Sequence, residues 1–182
     1  MSRFLAGFEE RGVSLAGKRA VLIGAGGAAR AALWGLLRSG VSSVVIGVRN
    51  AAKGIALAAD FAVDGVVTAA AFTDPAFTAA LNTADMIVQT TPLGMTPRTE
   101  EMPPVDLAAL HPSAMVYDLI YTPAETRFLR AAAAHGHATI NGETMLAAQG
   151  AEAFALWTGV RPDVALMKRV LREELARREF VF

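Results

Sequence analysis

At 182 residues, with 53% hydrophobic and 19% charged side chains, the chain is long enough for one sizeable core and too apolar for a disordered segment. Its 17 basic and 17 acidic residues cancel, which removes the long-range field that would gather nucleic acid or an anionic membrane. With no cysteine there is no disulfide frame or thiolate nucleophile, and 3 histidines cannot alone fill a typical structural zinc site, so no metal is expected.

The first stretch, MSRFLAGFEERG, sets Phe4, Leu5 and Phe8 at helical spacing before Gly12 and predicts a short helix. It has neither a signal-peptide pattern nor an apolar run long enough for a bilayer, so the expected location is the cytoplasm and no membrane partner is expected. Apolar runs of strand length recur at 19–24, 43–48, 66–70, 85–90, 115–119 and 138–140. Between them, a helix over 28–39 is stopped by Gly40, a second starts from Asn50 as N-cap, and a third is opened by Asp74-Pro75. The segment TPLGMTPRTEEMPPVD reads as a loop, because Pro92, Pro97, Pro103 and Pro104 forbid a long regular element. Near the end, Val164, Met167, Val170, Leu171 and Leu175 form one stripe and predict a helix packed beside the sheet.

Strand and helix thus alternate, and parallel strands need long crossovers whose helices bury an apolar face on the sheet. The expected fold is α/β, a Rossmann-like doubly wound, mostly parallel sheet of six strands. One domain is expected over 1–182, with a leading helix and turn at 1–17, a Rossmann core at 18–142 and C-terminal helices at 143–182. His111, His135 and His137 fall in predicted turns without a partner acid at a telling spacing and read as surface histidines.

In VLIGAGGAARAA, Gly24, Gly26 and Ala29 occupy the small positions of G-x-G-x-x-G/A, directly between a predicted strand and a predicted helix. Small residues let the backbone turn sharply and approach a pyrophosphate, which the unpaired N–H groups and partial positive charge of a helix N-terminus attract. Gly27 adds an unobstructed amide. A glycine turn also serves plain strand-to-helix packing, and that alternative stays open here. At the end of the second strand, where an NAD enzyme would carry an acid for the ribose hydroxyls, stand Arg49 and, one helical turn on, Lys53. Both cations can converge on one anion, with the adenosine 2′-phosphate of NADP the obvious one, or remain solvated surface charges.

The segments LAGKRAVLIGAGGAARAA, ADMIVQTTPLGMTP, VYDLIYTPAET and INGETMLAAQGAEAFALWTG stand in the order and spacing of the shikimate and quinate dehydrogenases, a resemblance that covers nearly the whole chain. It implies that Gly24, Ala25, Gly26, Gly27 and Ala28 hold the pyrophosphate of NADP, and that Val48, Arg49, Asn50 and Lys53 surround its 2′-phosphate. By the same resemblance Thr91, Pro92, Leu93 and Met95 line the cofactor cleft, Leu119, Gly142 and Met145 lie near the nicotinamide, and Tyr121 and Gln149 reach the substrate. Three positions depart from the family pattern: Val48 and Gln89 stand where asparagine is usual, and Arg3 where glycine is usual.

The activity so implied is reversible NADPH-dependent reduction of 3-dehydroshikimate to shikimate, on the way to chorismate and the aromatic amino acids. The family's catalytic lysine and aspartate belong to an N-terminal substrate domain that these residues do not include, so the resemblance assigns no catalytic residue here. Lys18 and Lys53 cannot stand in for that lysine. The expectation is a nucleotide-binding domain that is inactive alone and meets shikimate or an analogue only with a substrate domain. A non-catalytic NAD(P)-binding module, and a domain of a quinate or amino-shikimate dehydrogenase, are the alternatives. An apolar face normally covered by the substrate domain would favour a homodimer.

Overall fold

Strand β1 (Arg19–Ile23) lies at the centre of a parallel sheet, flanked by β2 (Ser43–Val48) and β4 (Met86–Gln89), with β3 (Val67–Ala71) beyond β2 and β5 (Met115–Asp118) and β6 (Thr139–Ile140) beyond β4. The computed structural model describes residues 3–61 and 66–179; residues 1–2 and 180–182, which fall in the expected leading and C-terminal segments, and 62–65 lie outside the described residues. The order 3-2-1-4-5-6 is that of the doubly wound fold, and the winding reverses between β1 and β4, where the crevice for a ligand opens.

The strands are buried on both faces and their side chains alternate between two cores. Ala20 and Leu22 of β1 join Ile46 and Val88 under α2 (Gly27–Arg38) and α3 (Ala51–Phe61). Val21 and Ile23 join Ile87 and Val116 under α4 (Pro75–Thr83) and α5 (Arg127–Ala134). A fully buried leucine or isoleucine contributes about 1.5–3 kcal/mol relative to exposure, so this two-sided burial holds the strand ends rigidly in place. The caps agree with the sequence: the Asn50 carboxamide oxygen accepts from Ala52 N at 3.0 Å, and Asp74 accepts from Ala76 N at 2.8 Å with Pro75 in the first turn.

Three features differ from expectation. Helix α5 is not among the helices marked in the sequence; its apolar face is short, and its start is set by Thr126, whose hydroxyl accepts from Leu129 N at 3.2 Å. The C-terminal helix α7 (Val164–Glu179) packs on α6 (Glu143–Thr158) rather than against the sheet, and of its expected stripe Val164 and Val170 are exposed. His137 is buried, not a surface residue, because its Nδ1 meets the carbonyl of Ala114 at 3.1 Å beneath the β5–β6 edge. The leading segment has a 3-10 turn over Arg3–Leu5 and α1 (Ala6–Glu10); Phe4 stacks on Tyr117 with ring centres 5.4 Å apart, and Phe8 meets the same ring edge-on.

Candidate functional site

The backbone turns out of β1 at Gly24, whose φ of +107° is the left-handed region that favours glycine. A Cβ there would lie 2.8 Å from the Thr90 hydroxyl and 2.8 Å from a Thr91 methyl, so the turn and the loop after β4 touch directly. Gly26 then caps α2 without any side-chain hydrogen bond, leaving the first N–H groups of this twelve-residue helix uncapped by protein. Above Gly26 and Gly27 the space is open, with nothing within 4 Å of an added Cβ. An anion laid on this turn would meet backbone amides and the positive end of the helix with no side chain in the way.

Beyond the turn lies a cavity of about 880 Å³ whose wall includes Gly27, Ala28, Thr91, Pro92, Met95, Leu119, Tyr121, Met145 and Gln149. Nine residues singled out in the sequence are therefore brought together around one space, at the crevice where the winding reverses. Gly24, Ala25, Gly26 and Leu93 do not line it, and Gly142 is buried behind it. Val48 is 6% exposed and its side chain belongs to the core beside Gly54.

The loops after β4, β5 and β6 are stitched together. Gln89, fully buried, grips Thr91 and Leu93 through its side-chain amide, and Thr96 N donates to Thr122 O at 3.0 Å. Gly142 N donates to Ile120 O at 2.9 Å, and the approach is so close that a Cβ on Gly142 would sit 2.1 Å from the carbonyl oxygen of Leu119. Asp118, also fully buried, accepts from Ile120 N at 3.1 Å and from the Thr126 hydroxyl at 2.7 Å. Burial pushes its carboxyl up to about 7, against the lowering effect of those two donors.

Arg49 and Lys53 are exposed at the end of β2 and in the first turn of α3, outside the cavity wall. Neither side chain forms a hydrogen bond or ion pair with another described residue. The other cations near the cavity differ: Arg30 pairs with Asp60 and lies 5.9 Å from the ring centre of Phe61, and Arg3 pairs with Glu152. Arg30, Glu152, the ion pair of Arg3 and the organising roles of Gln89 and Asp118 were not singled out by sequence motifs. The available signal was a polar residue ending an apolar strand run, MIVQ and MVYD, which marks a buried group in need of partners.

The family described as shikimate / quinate 5-dehydrogenase matches residues 8–104, and the shikimate 5′-dehydrogenase C-terminal domain matches residues 142–172. The chain belongs to the shikimate and quinate dehydrogenase family. Among curated members, the shikimate dehydrogenase (NADP(+)) of Moorella thermoacetica is 44% identical over 177 residues, which are 96% of this chain and 59% of that protein. A shikimate dehydrogenase solved in complex with NADP+ superposes with a TM-score of 0.84 at 35% identity, over 96% of this chain and 60% of that one. The ligand-free 5-ketofructose reductase of Gluconobacter sp. strain CHM43 superposes with a TM-score of 0.80 at 34% identity, over 94% and 61%. The chain thus spans about three fifths of the length of the family members it matches.

Proposed function

We propose that these residues form the NADP-binding half of a shikimate dehydrogenase. The observation that carries the reading is the uncapped start of α2, which opens into the cavity walled by the loops after β4, β5 and β6. Gly24 to Ala28 would hold the pyrophosphate, and Arg49 and Lys53, both without a described partner, the adenosine 2′-phosphate. Asn50 fixes the turn that carries those cations. Thr91, Pro92 and Met95 would shape one wall of the nicotinamide site, with Leu93 behind them, and Leu119, Gly142 and Met145 the other. A bound cofactor would supply hydride chemistry in this cavity. Tyr121 and Gln149, both able to bond hydroxyl groups, orient a polyol acid there.

The second half of the chemistry is a proton donor for the alkoxide that develops when a ketone is reduced. Among the described residues neither a lysine nor an aspartate lines the cavity, and its arginines and Glu152 are engaged in ion pairs. These 182 residues would therefore bind cofactor but turn over shikimate negligibly without a substrate-side domain. The contacts that separate shikimate from quinate or an amino analogue would lie in that domain as well. Exposed Leu156, Val160 and Trp157, the last 84% exposed, would favour a dimer of the isolated chain, which sedimentation would reveal as a concentration-dependent mass.

Calorimetric titration with NADPH and NADH tests the cofactor reading: preferential NADPH binding supports it, and binding of neither overturns it. A purified chain that oxidises shikimate with NADP at family-like rates would overturn the inactivity.

A further inference from the structure

We propose that Gln89 is a positioning residue for the nicotinamide half of the cofactor alone, acting through the loop it grips from below; this rests on the cofactor reading above. Gln89 ends β4 and spends its whole amide capacity on one short segment. Its Nε2 donates to Thr91 O at 3.2 Å and to Leu93 O at 3.1 Å, while its Oε1 accepts from Thr91 N at 2.9 Å and from the Thr91 hydroxyl at 3.0 Å. The partners force this orientation of the amide, because a backbone N–H can only donate and a carbonyl can only accept.

All four bonds are made by a residue with 0% exposure to the half-buried Thr91 and Leu93, so on the strand side of the loop a lost partner is not readily replaced. Removing the amide would strand the Thr91 N–H and the carbonyls of Thr91 and Leu93 together. The loop would have to re-aim to satisfy them. Thr91 and Pro92 form the cavity wall, whereas Arg49 and Lys53 stand outside it on the far side of β1. A shift of the loop therefore reaches one half of the cofactor site and spares the other.

The test compares wild type, Gln89→Leu and Gln89→Asn in calorimetric titrations with NADPH and with adenosine 2′,5′-bisphosphate, which carries the adenosine half only. Nicotinamide fluorescence is followed in parallel. Q89L is expected to bind NADPH at least about tenfold more weakly, with a diminished fluorescence change, yet bind the bisphosphate within about twofold of wild type. Q89N keeps the amide on a side chain one methylene shorter and recovers most of the loss. Equal weakening toward both ligands, or unchanged NADPH binding by folded Q89L, overturns the proposal while leaving the cofactor reading intact. Wild type binding neither ligand overturns the cofactor reading, and this inference with it. If Q89L does not fold, proton exchange in the wild type decides: the Gln89 side-chain amide should exchange far more slowly than that of half-exposed Gln149, and comparable rates overturn the proposal.

Discussion

At the C-terminal edge of the sheet, the loops after β4, β5 and β6 are tied to one another by buried hydrogen bonds, whereas the turn after β2 carries Arg49 and Lys53 into solvent with no described side-chain partner. The first region is held by several buried contacts at once: Gln89 grips the loop after β4, Asp118 the loop after β5, and Gly142 closes against Leu119. The second has no described side-chain contact at either cation, and on the cofactor proposal the two would share an anion. Mutations should accordingly reach the folded state through the first region and ligand choice through the second.

The largest break in this contrast is expected from Gly142→Ala. Its Cβ would stand 2.1 Å from a backbone oxygen that has no free rotation to escape, so the fold should lose about 3 kcal/mol, the upper end of overpacking costs. Urea denaturation measures it; an unchanged midpoint would mean that the two loops are not held together as described.

Asp118 comes next. A carboxyl whose folded pKa is about 7, against an ordinary 3.8, holds its proton more tightly when folded. Its contribution to stability is fully present below pH 3.8 and is lost as pH rises toward 7, up to about 4 kcal/mol in all. Asp118→Asn should remove that slope from a plot of unfolding free energy against pH, and an identical slope in the variant would contradict the burial argument.

On the open side, Arg49→Ala with Lys53→Ala should weaken NADPH binding about tenfold or more, leave NADH unchanged and flatten the salt dependence of NADPH binding. The melting temperature should barely move, since neither side chain has a described partner to lose. A large loss of stability would erase the distinction between the two regions.

The smallest effect is expected from Lys168→Ala, which touches neither region. Lys168 bonds both carboxylate oxygens of Glu10 at 2.7 Å and, together with the Thr144 hydroxyl, holds that carboxyl below its usual range. Glu10 is nearly half exposed, so screening by water limits the loss to about 0.5–1 kcal/mol. NADPH binding should be unaffected.

Much of the fold was readable in the chain because its signals are local. All six expected strands occur within a residue or so of their predicted ends, and Asn50 and Asp74 cap the helices they precede. The short helix α5 was missed although Thr126 is a local N-cap before an amphipathic run; what no local pattern announces is that the Thr126 hydroxyl also donates to Asp118 of the preceding strand. Val48, placed by resemblance beside the 2′-phosphate, points into the core under α2 and α3 because alternation along β2 puts it on the face of Val44 and Ile46. For the candidate site, the glycine turn and the cation pair could be found by spacing alone. The roles of Gln89 and Asp118 could not, since each depends on which loop lies above a strand end.

By itself the sequence determined the alternation of strand and helix, the parallel sheet and a turn suited to an anion, because periodicity, caps and glycine spacing act over a few residues. Only the tertiary structure decided which of the named residues share one cavity, that α7 rests on α6, that His137 is buried, and that two polar strand-end residues hold the loops in place. Those facts depend on the order in which strands pair and on close approaches between segments distant in the chain, such as Gly142 against Leu119, where shape and hydrogen-bond geometry act.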